Sequence, residues 1–461
     1  MEQAATLGAL RASGYRPRPV HVEMRENLLA RLRGGERVFE GIVGYEDSVL
    51  PAIENAILAG HDLIFLGERG QAKSRIMRTL VGLLDEAVPA VAGCEINDDP
   101  LAPICTACRE LIGERGDETP IAWLGPEDRY GEKLATPDIS VADLIGEVDP
   151  IKVAEGRYLA DELTIHFGLI PRTHRGIFAI NELPDLAERI QVALLNLLEE
   201  RDIQIRGYKI RLPLDIVLLA SANPEDYTNR GRIITPLKDR FGAQVRTHYP
   251  RTAAEEAEIV RREAQVPDDV RFPEWMSEIV AEVTHQARRS GQINQRSGVS
   301  VRLSIANQET VAASALRRAV RLGEPEAVPR ISDLEAMASS TLGKIEVEAL
   351  EEGREDDILT KLVRQAVQAV YQRRMRGQTF PDLVRRFEEE GLEVQTGVGM
   401  GAEELCRQFG ELKGMAQALQ SLGAGESPAT TAAALEFICE GLHLGRRLNK
   451  TPTGSGAVYG G

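Results

Sequence analysis

The sequence lacks any uninterrupted apolar stretch of the ~20 residues that a membrane-spanning helix requires. It also lacks an apolar core near its N-terminus, so we expect no secretory leader there. Positive charge is scarce, because 55 lysines and arginines face 71 aspartates and glutamates, which leaves a net charge of −16. This balance argues against nucleic acid or an anionic membrane as a general partner.

Cysteine is also scarce, and the five cysteines in 461 residues do not fit a disulfide framework. We therefore expect a cytoplasmic protein. Cys94 and the Cys105-x-x-Cys108 pair nevertheless resemble three ligands of a structural zinc ion. The fourth-ligand candidates, none at a characteristic spacing, are Asp98, Asp99, His166 and His174. Buried or free thiols remain the open alternative.

The chain does contain a glycine loop between an apolar run and a helical pattern. Leu63 to Leu66 predicts a buried strand, and the loop GERGQAKS follows it directly. Glycines let the backbone turn its N–H groups toward phosphate oxygens, and a helix start adds partial positive charge. We therefore predict that Lys73 reaches the outer phosphates of a nucleotide and that Ser74 ligates Mg²⁺. The predicted nucleotide-contacting residues are Gly67, Gly70, Gln71, Ala72, Lys73, Ser74 and Arg75.

Upstream of this loop lies a small apolar turn that contains Ile42 and Val43. Its position suits contact with a nucleotide base, but ordinary core packing explains it equally well.

Two further apolar runs end in polar residues. The first is followed by Asn181 and Glu182, and the second by Asn223. Runs of this kind are typical of strands buried on both faces. A carboxylate at such a strand end, beside a phosphate loop, could polarise an attacking water molecule. The alternative is that Glu182 merely caps the helix that follows.

The order of these motifs resembles an AAA+ ATPase of the branch that contains the magnesium-chelatase ATPase subunit and the MoxR proteins. The resemblance covers about residues 35–345. The matching motifs are GERGQAKS as Walker A, INE as Walker B, SAN as sensor 1, PLKDRFG as the arginine-finger box and SVRLS as sensor 2.

The resemblance implies a role for each matching residue. Glu182 is the general base, and Asn223 orients the attacking water. Asn181 holds Mg²⁺ through a water molecule. Arg240 reaches the γ-phosphate of the neighbouring subunit, and Arg302 reads the nucleotide from the lid. An arginine that acts on a neighbour implies a homo-oligomeric ring, which is hexameric by family resemblance.

The expected fold class is α/β: an AAA+ P-loop core with a parallel five-stranded sheet flanked by helices, then an α-helical lid and a C-terminal helical region. Val88 to Cys94 is expected to be the second strand. The expected divisions are a solvated N-terminal helical arm (1–40), the nucleotide-binding domain (41–250) with insertions (94–175) and a hairpin (203–212), the lid (251–375), the C-terminal helical region (376–450) and a disordered tail (451–461).

Two positions depart from the family pattern. Ala72 replaces the glycine before the lysine, and Asn181 replaces the aspartate before the glutamate. Both changes are expected to weaken Mg-ATP binding or to slow turnover. We still expect a ring ATPase that binds and hydrolyses Mg-ATP and remodels or activates a protein partner, namely a separate von Willebrand factor A domain protein. The alternatives are a nucleotide-gated scaffold with little hydrolysis and a true magnesium-chelatase ATPase subunit.

Overall fold

The protein divides into two compact units, Met1–His248 and Tyr249–Gly461. Each unit has its own hydrophobic core. No helix in the described part of the chain is long and apolar enough to cross a membrane. The structure is a computed structural model, and the residues that it describes are 3–149, 162–204, 211–223, 232–295, 298–348, 353–410, 414–454 and 456–461.

A parallel five-stranded sheet forms the centre of the first unit, which confirms the expected fold class. Residues Leu63 and Phe65 point into one core cluster, whereas Ile64 and Leu66 point into the cluster on the opposite face. A strand buried on both faces must be apolar throughout, which explains the continuous run in the sequence. The strands in spatial order are β11 (Ala243–Arg246), β1 (Leu63–Leu66), β10 (Ile216–Ala222), β7 (Gly176–Asn181) and β4 (Tyr130–Leu134).

Helices and three short antiparallel pairs surround this sheet. The pairs are β2 (Val88–Val91) with β3 (Ile121–Leu124), β5 (Gly146–Val148) with β6 (Ile165–Phe167), and β8 (Asp202–Gln204) with β9 (Arg211–Pro213). The last pair is the base of the expected hairpin, whose residues 205–210 lie outside the described residues. The helices are α1 (Leu7–Ala12), α2 (Val20–Gly34), α3 (Val49–Leu58), α4 (Lys73–Thr79), α5 (Thr106–Arg115), α6 (Val141–Leu144), α7 (Leu169–Arg172), α8 (Glu188–Glu199) and α9 (Thr235–Arg240).

The second strand forms within the expected range, over Val88–Val91, but it lies outside the main sheet. Residues Val88–Val91 do not join the main sheet but pair antiparallel with Ile121–Leu124. The outer position beside β7 belongs to β4, which no apolar run had indicated. Pro89 cannot donate to a hydrogen-bond ladder, so its strand suits a two-stranded edge better than a sheet interior.

The N-terminal arm is not solvated, contrary to expectation. Val20, Met24 and Leu28 lie at helical spacing on α2 and are buried in the core of the first unit. The carboxylate of Glu23 forms a bidentate ion pair with Arg129 at 2.8 and 2.6 Å, and both side chains are almost fully buried. The arm is therefore part of the first unit.

One large core cluster contains residues of both the expected lid and the expected C-terminal region, and a smaller cluster around Ala312 lies beside it in sequence. The ring of Trp275 stacks on Phe437 with ring centroids 4.5 Å apart. Phe437 lies on the central helix, which is buried along almost its full length. The helices are α10 (Ala253–Glu263), α11 (Glu274–Arg289), α12 (Val301–Leu322), α13 (Met337–Thr341), α14 (Glu355–Arg374), α15 (Pro381–Glu388), α16 (Ala402–Phe409), α17 (Ala416–Ser421) and α18 (Pro428–Leu444).

The tail at 451–461 is ordered over its described residues, contrary to expectation. It forms an antiparallel sheet with strands in the order β12 (Val394–Gly397), β14 (Gly456–Gly460) and β13 (Asn449–Thr453). A Cβ on Gly456 would lie 1.9 Å from the Thr396 carbonyl oxygen, so the glycine allows close strand approach. The buried Tyr459 hydroxyl donates to the carboxylate of Glu440. Composition had indicated disorder, whereas these glycines and one buried tyrosine support a sheet.

Candidate nucleotide-binding site

Three chain segments leave neighbouring strands at the same edge of the parallel sheet. Leu66 lies beside Ala222 in the register of β1 and β10, and Ala220 lies beside Ile180 in the register of β10 and β7. The glycine loop, Asn223 and the Asn181-Glu182 pair therefore begin within a few ångströms of one another. Carboxyl ends of parallel strands are the usual position for ligand sites in such folds.

Contacts behind the loop hold its backbone in place. The Oε1 atom of Gln71 accepts hydrogen bonds from the Glu68 N–H at 3.1 Å and the Thr247 hydroxyl at 2.7 Å. A Cβ on Gly67 would lie 1.9 Å from the Thr247 hydroxyl oxygen, so only glycine fits there. The Tyr45 hydroxyl donates to the Gln71 carbonyl oxygen at 2.9 Å. Tyr45 and Thr247 are supporting residues that the motif itself did not reveal.

Ala72 occupies a left-handed backbone conformation, with φ 56° and ψ 15°. Such a conformation costs a residue with a Cβ about 1–2 kcal/mol, whereas glycine adopts it freely. The helix α4 begins at the next residue. The fold therefore keeps the glycine-type geometry of the loop although the residue is alanine.

The ammonium group of Lys73 lies inside the loop. Its Nζ atom donates to the carbonyl oxygens of Gly67 at 2.5 Å and Glu68 at 2.8 Å. It also donates to Oδ1 of Asn223 at 2.7 Å. The side chain is 7% exposed. The ammonium group is thus buried and hydrogen-bonded to the loop backbone and to Asn223.

Asn223 connects the lysine to the acidic residue of the next strand. Its Nδ2 atom donates to Oε2 of Glu182 at 2.6 Å. Glu182 itself has left-handed backbone angles, φ 56° and ψ 48°, and its N–H donates to the Ser221 hydroxyl at 3.2 Å. Strained backbone of this kind is common where a side chain must be aimed at a ligand.

A second chain of hydrogen bonds passes through Asn181. The Ser74 hydroxyl donates to Oδ1 of Asn181 at 2.7 Å, and the Ser221 hydroxyl reaches the same oxygen at 3.2 Å. The Nδ2 atom of Asn181 donates to Oε1 of Glu132 at 2.5 Å. The amide is therefore fixed between a hydroxyl group and a carboxylate.

Glu132 is a site residue that the sequence did not reveal. Arg78 binds its carboxylate through two nitrogens, at 2.7 and 3.0 Å, and the Tyr130 hydroxyl donates at 3.1 Å. Burial alone would raise the pKa of Glu132, but the contacts with Arg78, Tyr130 and Asn181 outweigh it and lower that pKa. The carboxylate is therefore charged at neutral pH. It contacts Asn181, which in turn contacts Ser74.

The remaining predicted contacts lie around the turn at residue 41. Ile42 is 7% exposed and packs in the core cluster of the first unit, whereas Val43 is half-buried. A Cβ on Gly41 would lie 2.8 Å from Nη2 of Arg75, so the guanidinium group covers this turn. Gly70 has φ 74° and supplies the second turn of the loop.

Neither of the two predicted arginines takes part in the hydrogen bonds described above for the glycine loop, Asn181, Glu182 and Asn223. Arg240 ends α9 and binds Oε2 of Glu199 through Nε at 2.8 Å and Nη2 at 2.6 Å, with 30% of its side chain exposed. Arg302 lies in the first turn of α12 in the second unit and is exposed.

The three predicted cysteines come together in a separate cluster. Ligand atoms of Cys94, Cys105, Cys108 and Asp98 all lie within 4.8 Å of one another. Of the four candidates for the fourth ligand, the cluster contains Asp98. His174 is occupied elsewhere, because its Nδ1 atom accepts the N–H of Asp215 at 3.0 Å.

A parallel sheet of this strand order, with a lysine-bearing glycine loop, an acidic residue and an asparagine at one edge, is the AAA+ type of P-loop fold. The magnesium-chelatase 38 kDa subunit of Cereibacter sphaeroides is 31% identical over 258 residues, which cover 52% of this chain and 68% of that protein. The corresponding subunit of Acidiphilium rubrum is 31% identical over 240 residues, which cover 49% of this chain and 62% of that protein. The chain therefore belongs to the magnesium-chelatase 38 kDa subunit family.

The similarity has clear bounds. The chain spans 62% and 59% of the length of the subunits from Acidiphilium rubrum and Rhodobacter capsulatus. No protein-family model matches the chain. Among solved structures, a chain from the complex between subunits BchI and BchD of magnesium chelatase is 23% identical, with 68% of this chain and 96% of that chain covered. Its TM-score is 0.37, so nothing further follows from that likeness.

Proposed function

We propose that this chain binds Mg-ATP and hydrolyses its terminal phosphoanhydride bond. One observation carries the proposal: the amide of Asn223 accepts from Lys73 at 2.7 Å and donates to Glu182 at 2.6 Å. A phosphate-binding cation, a polar orienting group and a general base are thus joined through a single side chain. Hydrolysis of ATP needs these three groups near one phosphate.

The proposed roles follow from the chemistry of the three side chains. Lys73 exchanges its carbonyl partners, Gly67 and Glu68, for phosphate oxygens of the nucleotide. Asn223 then orients the attacking water molecule, and Glu182 accepts its proton. A carboxylate positioned within hydrogen-bond reach of the water can act as the general base of this step.

The residues beside the loop fit a magnesium ion. The Ser74 hydroxyl oxygen and the Asn181 amide oxygen lie 2.7 Å apart, and Mg²⁺ prefers oxygen ligands. When bound, the ion would neutralise charge on the transferred phosphoryl group. An asparagine adds no charge of its own, but the ionised Glu132 behind it supplies a negative field. We therefore propose that Glu132 offsets the missing aspartate.

We further propose a homo-oligomeric ring in which Arg240 acts on the nucleotide of the neighbouring subunit. The guanidinium group is partly exposed and is bound to Glu199, which a more strongly charged phosphate could displace. An inserted arginine can accelerate phosphoryl transfer roughly 10³- to 10⁵-fold. The role of Arg302 as a nucleotide reader and the hexameric ring size rest on family resemblance alone.

The proposed work of the ring is to remodel or activate a protein partner, as in the MoxR branch, with a separate von Willebrand factor A domain protein as that partner. A true magnesium-chelatase subunit is the second candidate, favoured by the 31% identity to such subunits. A nucleotide-gated scaffold is the third, favoured by Asn181 and Ala72. Affinity purification of the Glu182→Gln variant in ATP, with identification of the proteins that stay bound, separates the first two candidates. Bound proteins of a porphyrin pathway would support the chelatase subunit, whereas a von Willebrand factor A domain protein would support the first candidate.

Nucleotide binding by the full chain tests the basic proposal. Calorimetry with Mg²⁺ and a slowly hydrolysed ATP analogue should show one site in the wild type and none in Lys73→Ala. Lys344→Ala removes an exposed lysine of the second unit and should bind as the wild type does. Equal affinity in wild type and Lys73→Ala would contradict the proposed site.

A further inference from the structure

We propose that Cys94, Cys105, Cys108 and Asp98 bind one structural zinc ion. The four ligand atoms lie within 4.8 Å of one another. With Zn–S bonds of about 2.3 Å, a tetrahedral site places its sulfur atoms about 3.8 Å apart. A small contraction of the observed cluster would therefore enclose a single ion.

Backbone N–H groups are already directed at two of the sulfur atoms. The Cys94 sulfur accepts from Ile96 and Asp98, both at 3.4 Å. The Cys105 sulfur accepts from the N–H of Cys108 at 3.3 Å. Donors directed at sulfur stabilise the thiolate form, which is the form that binds metal. These turns thus prepare the thiols as ligands.

Asp98 is fully buried next to the three sulfur atoms. Its Oδ2 atom accepts N–H groups from Ile104 and Cys105, both at 2.9 Å. Hydrogen bonds of this type orient a ligating carboxylate from behind.

The separation of the ligand atoms also selects the kind of metal centre. An iron–sulfur cluster needs space for several iron and sulfide atoms between its cysteines. Ligand atoms within 4.8 Å of one another leave space for one ion instead. A set rich in thiolate favours zinc over magnesium or calcium. Cys94 is partly exposed, whereas the other three residues are buried, so the ion can enter from one side.

The bound ion would connect the segment that follows β2, which contains Cys94 and Asp98, to the start of α5, which contains Cys105 and Cys108. Cys105 and Cys108 belong to the core cluster on one face of the main sheet, which also contains Val91 and Ile96. The carboxylate of Glu162 accepts hydrogen bonds from the N–H and the hydroxyl of Thr106, both at 2.8 Å. These bonds connect the start of α5 to a later part of the insertion. We infer that the ion stabilises the insertion and takes no part in nucleotide chemistry.

Elemental analysis of the full chain, purified without chelators, tests this proposal independently of any ATPase activity. The wild type should carry about one zinc per chain, because a structural site is nearly full. Cys94→Ser and Cys108→Ser should lose most of it. Cys406→Ser, which removes a thiol of the second unit, should keep it. Less than about one tenth of a zinc in the wild type would overturn the proposal.

A second measurement covers variants that fail to fold. Cobalt added to metal-free wild type should give the intense bands of tetrahedral, thiolate-bound Co²⁺, and zinc should remove them. Co²⁺ spectra without thiolate bands, or iron with acid-labile sulfide in the purified protein, would each contradict a zinc site. Asp98→Ala should weaken zinc binding tenfold or more, in line with the loss of one ligand or its support. Unchanged affinity would remove Asp98 from the set.

Discussion

The Nδ2 atom of Asn181 donates a 2.5 Å hydrogen bond to Oε1 of Glu132, while its Oδ1 atom accepts from Ser74 at 2.7 Å. A neutral amide is the group that satisfies both neighbours at once. An aspartate in its place would put two carboxylates in contact. The departure from the family motif at Asn181 is thus matched by an acidic residue on the adjacent strand.

This pairing predicts the effect of restoring the family aspartate. Asn181→Asp should lower the free energy of unfolding by about 2 kcal/mol, because it removes a charge-assisted hydrogen bond and adds like charges. The double variant Asn181→Asp with Glu132→Gln exchanges the amide and the carboxylate, so it should recover most of that loss. Urea unfolding of the four proteins gives the coupling energy. Additive effects of the two substitutions would rule out the pairing.

The charge on Glu132 should also set the magnesium requirement. Glu132→Gln should raise the Mg²⁺ concentration for half-maximal ATP binding several-fold, because Asn181 alone contributes no charge. Glu127→Gln, on the turn before β4, is a matched control and should leave it unchanged. An unchanged Mg²⁺ dependence in Glu132→Gln would contradict the proposed role.

The same residue gives a pH dependence with a defined sign. The folded-state pKa of Glu132 is lowered, chiefly because Arg78 outweighs burial. Its contribution to stability is therefore complete above the unfolded pKa of about 4.3 and is lost as pH falls through the lower folded pKa. Acid unfolding of Glu132→Gln should be shallower than that of the wild type in this range. Superimposable acid transitions would show that the carboxylate is not stabilised.

Ala72 offers a test of the loop geometry. Ala72→Gly should relieve the cost of a left-handed alanine but make the unfolded chain more flexible, for a net gain of up to about 1 kcal/mol. ATP affinity should rise or stay equal because the loop keeps its conformation. Ala59→Gly, at a right-handed position after α3, is the control and should destabilise. Equal destabilisation by both substitutions would show that Ala72 is not strained.

Arg240 can be tested by mixing two inactive variants. Arg240→Ala keeps its own phosphate loop, and Lys73→Ala keeps its own arginine. If Arg240 acts on the neighbouring subunit, mixed rings contain some complete sites and ATPase activity returns in part. Arg261→Ala, which removes a surface arginine paired with Glu274, is the control and should remain active alone. Inactive mixtures, under conditions where light scattering shows mixed rings, would place the arginine in its own subunit or outside the mechanism.

Sequence patterns correctly predicted which candidate residues lie at the ends of buried strands. The runs before Asn181 and Asn223 are apolar because both faces of β7 and β10 are covered, so the first polar residue marks the sheet edge. The sequence did not indicate Glu132 because β4 is an outer strand of mixed composition, YGEKL. No spacing rule could have joined it to a residue 49 positions away.

Tertiary contacts explain why the N-terminal arm and the tail differ from what their composition indicated. The N-terminal arm carries many arginines, yet α2 buries an apolar face and the Glu23–Arg129 ion pair. The glycine-rich tail forms strands because Gly456 permits close approach to Thr396. The sequence left Asp98 as one of four candidates because its spacing from Cys94 fits no standard zinc motif. In the structure, a local turn brings Asp98 into the cysteine cluster.

Steady-state phosphate release at saturating Mg-ATP tests the proposed ATPase mechanism most directly. Glu182→Gln keeps the shape of the side chain and its contact with Asn223 but removes the base. Its nucleotide affinity should match the wild type, while turnover falls by ~10²-fold or more, in line with a lost general base. Lys73→Ala, purified in parallel, sets the background. Equal turnover in the wild type and Glu182→Gln, with rings assembled and nucleotide bound, would contradict catalysis by Glu182.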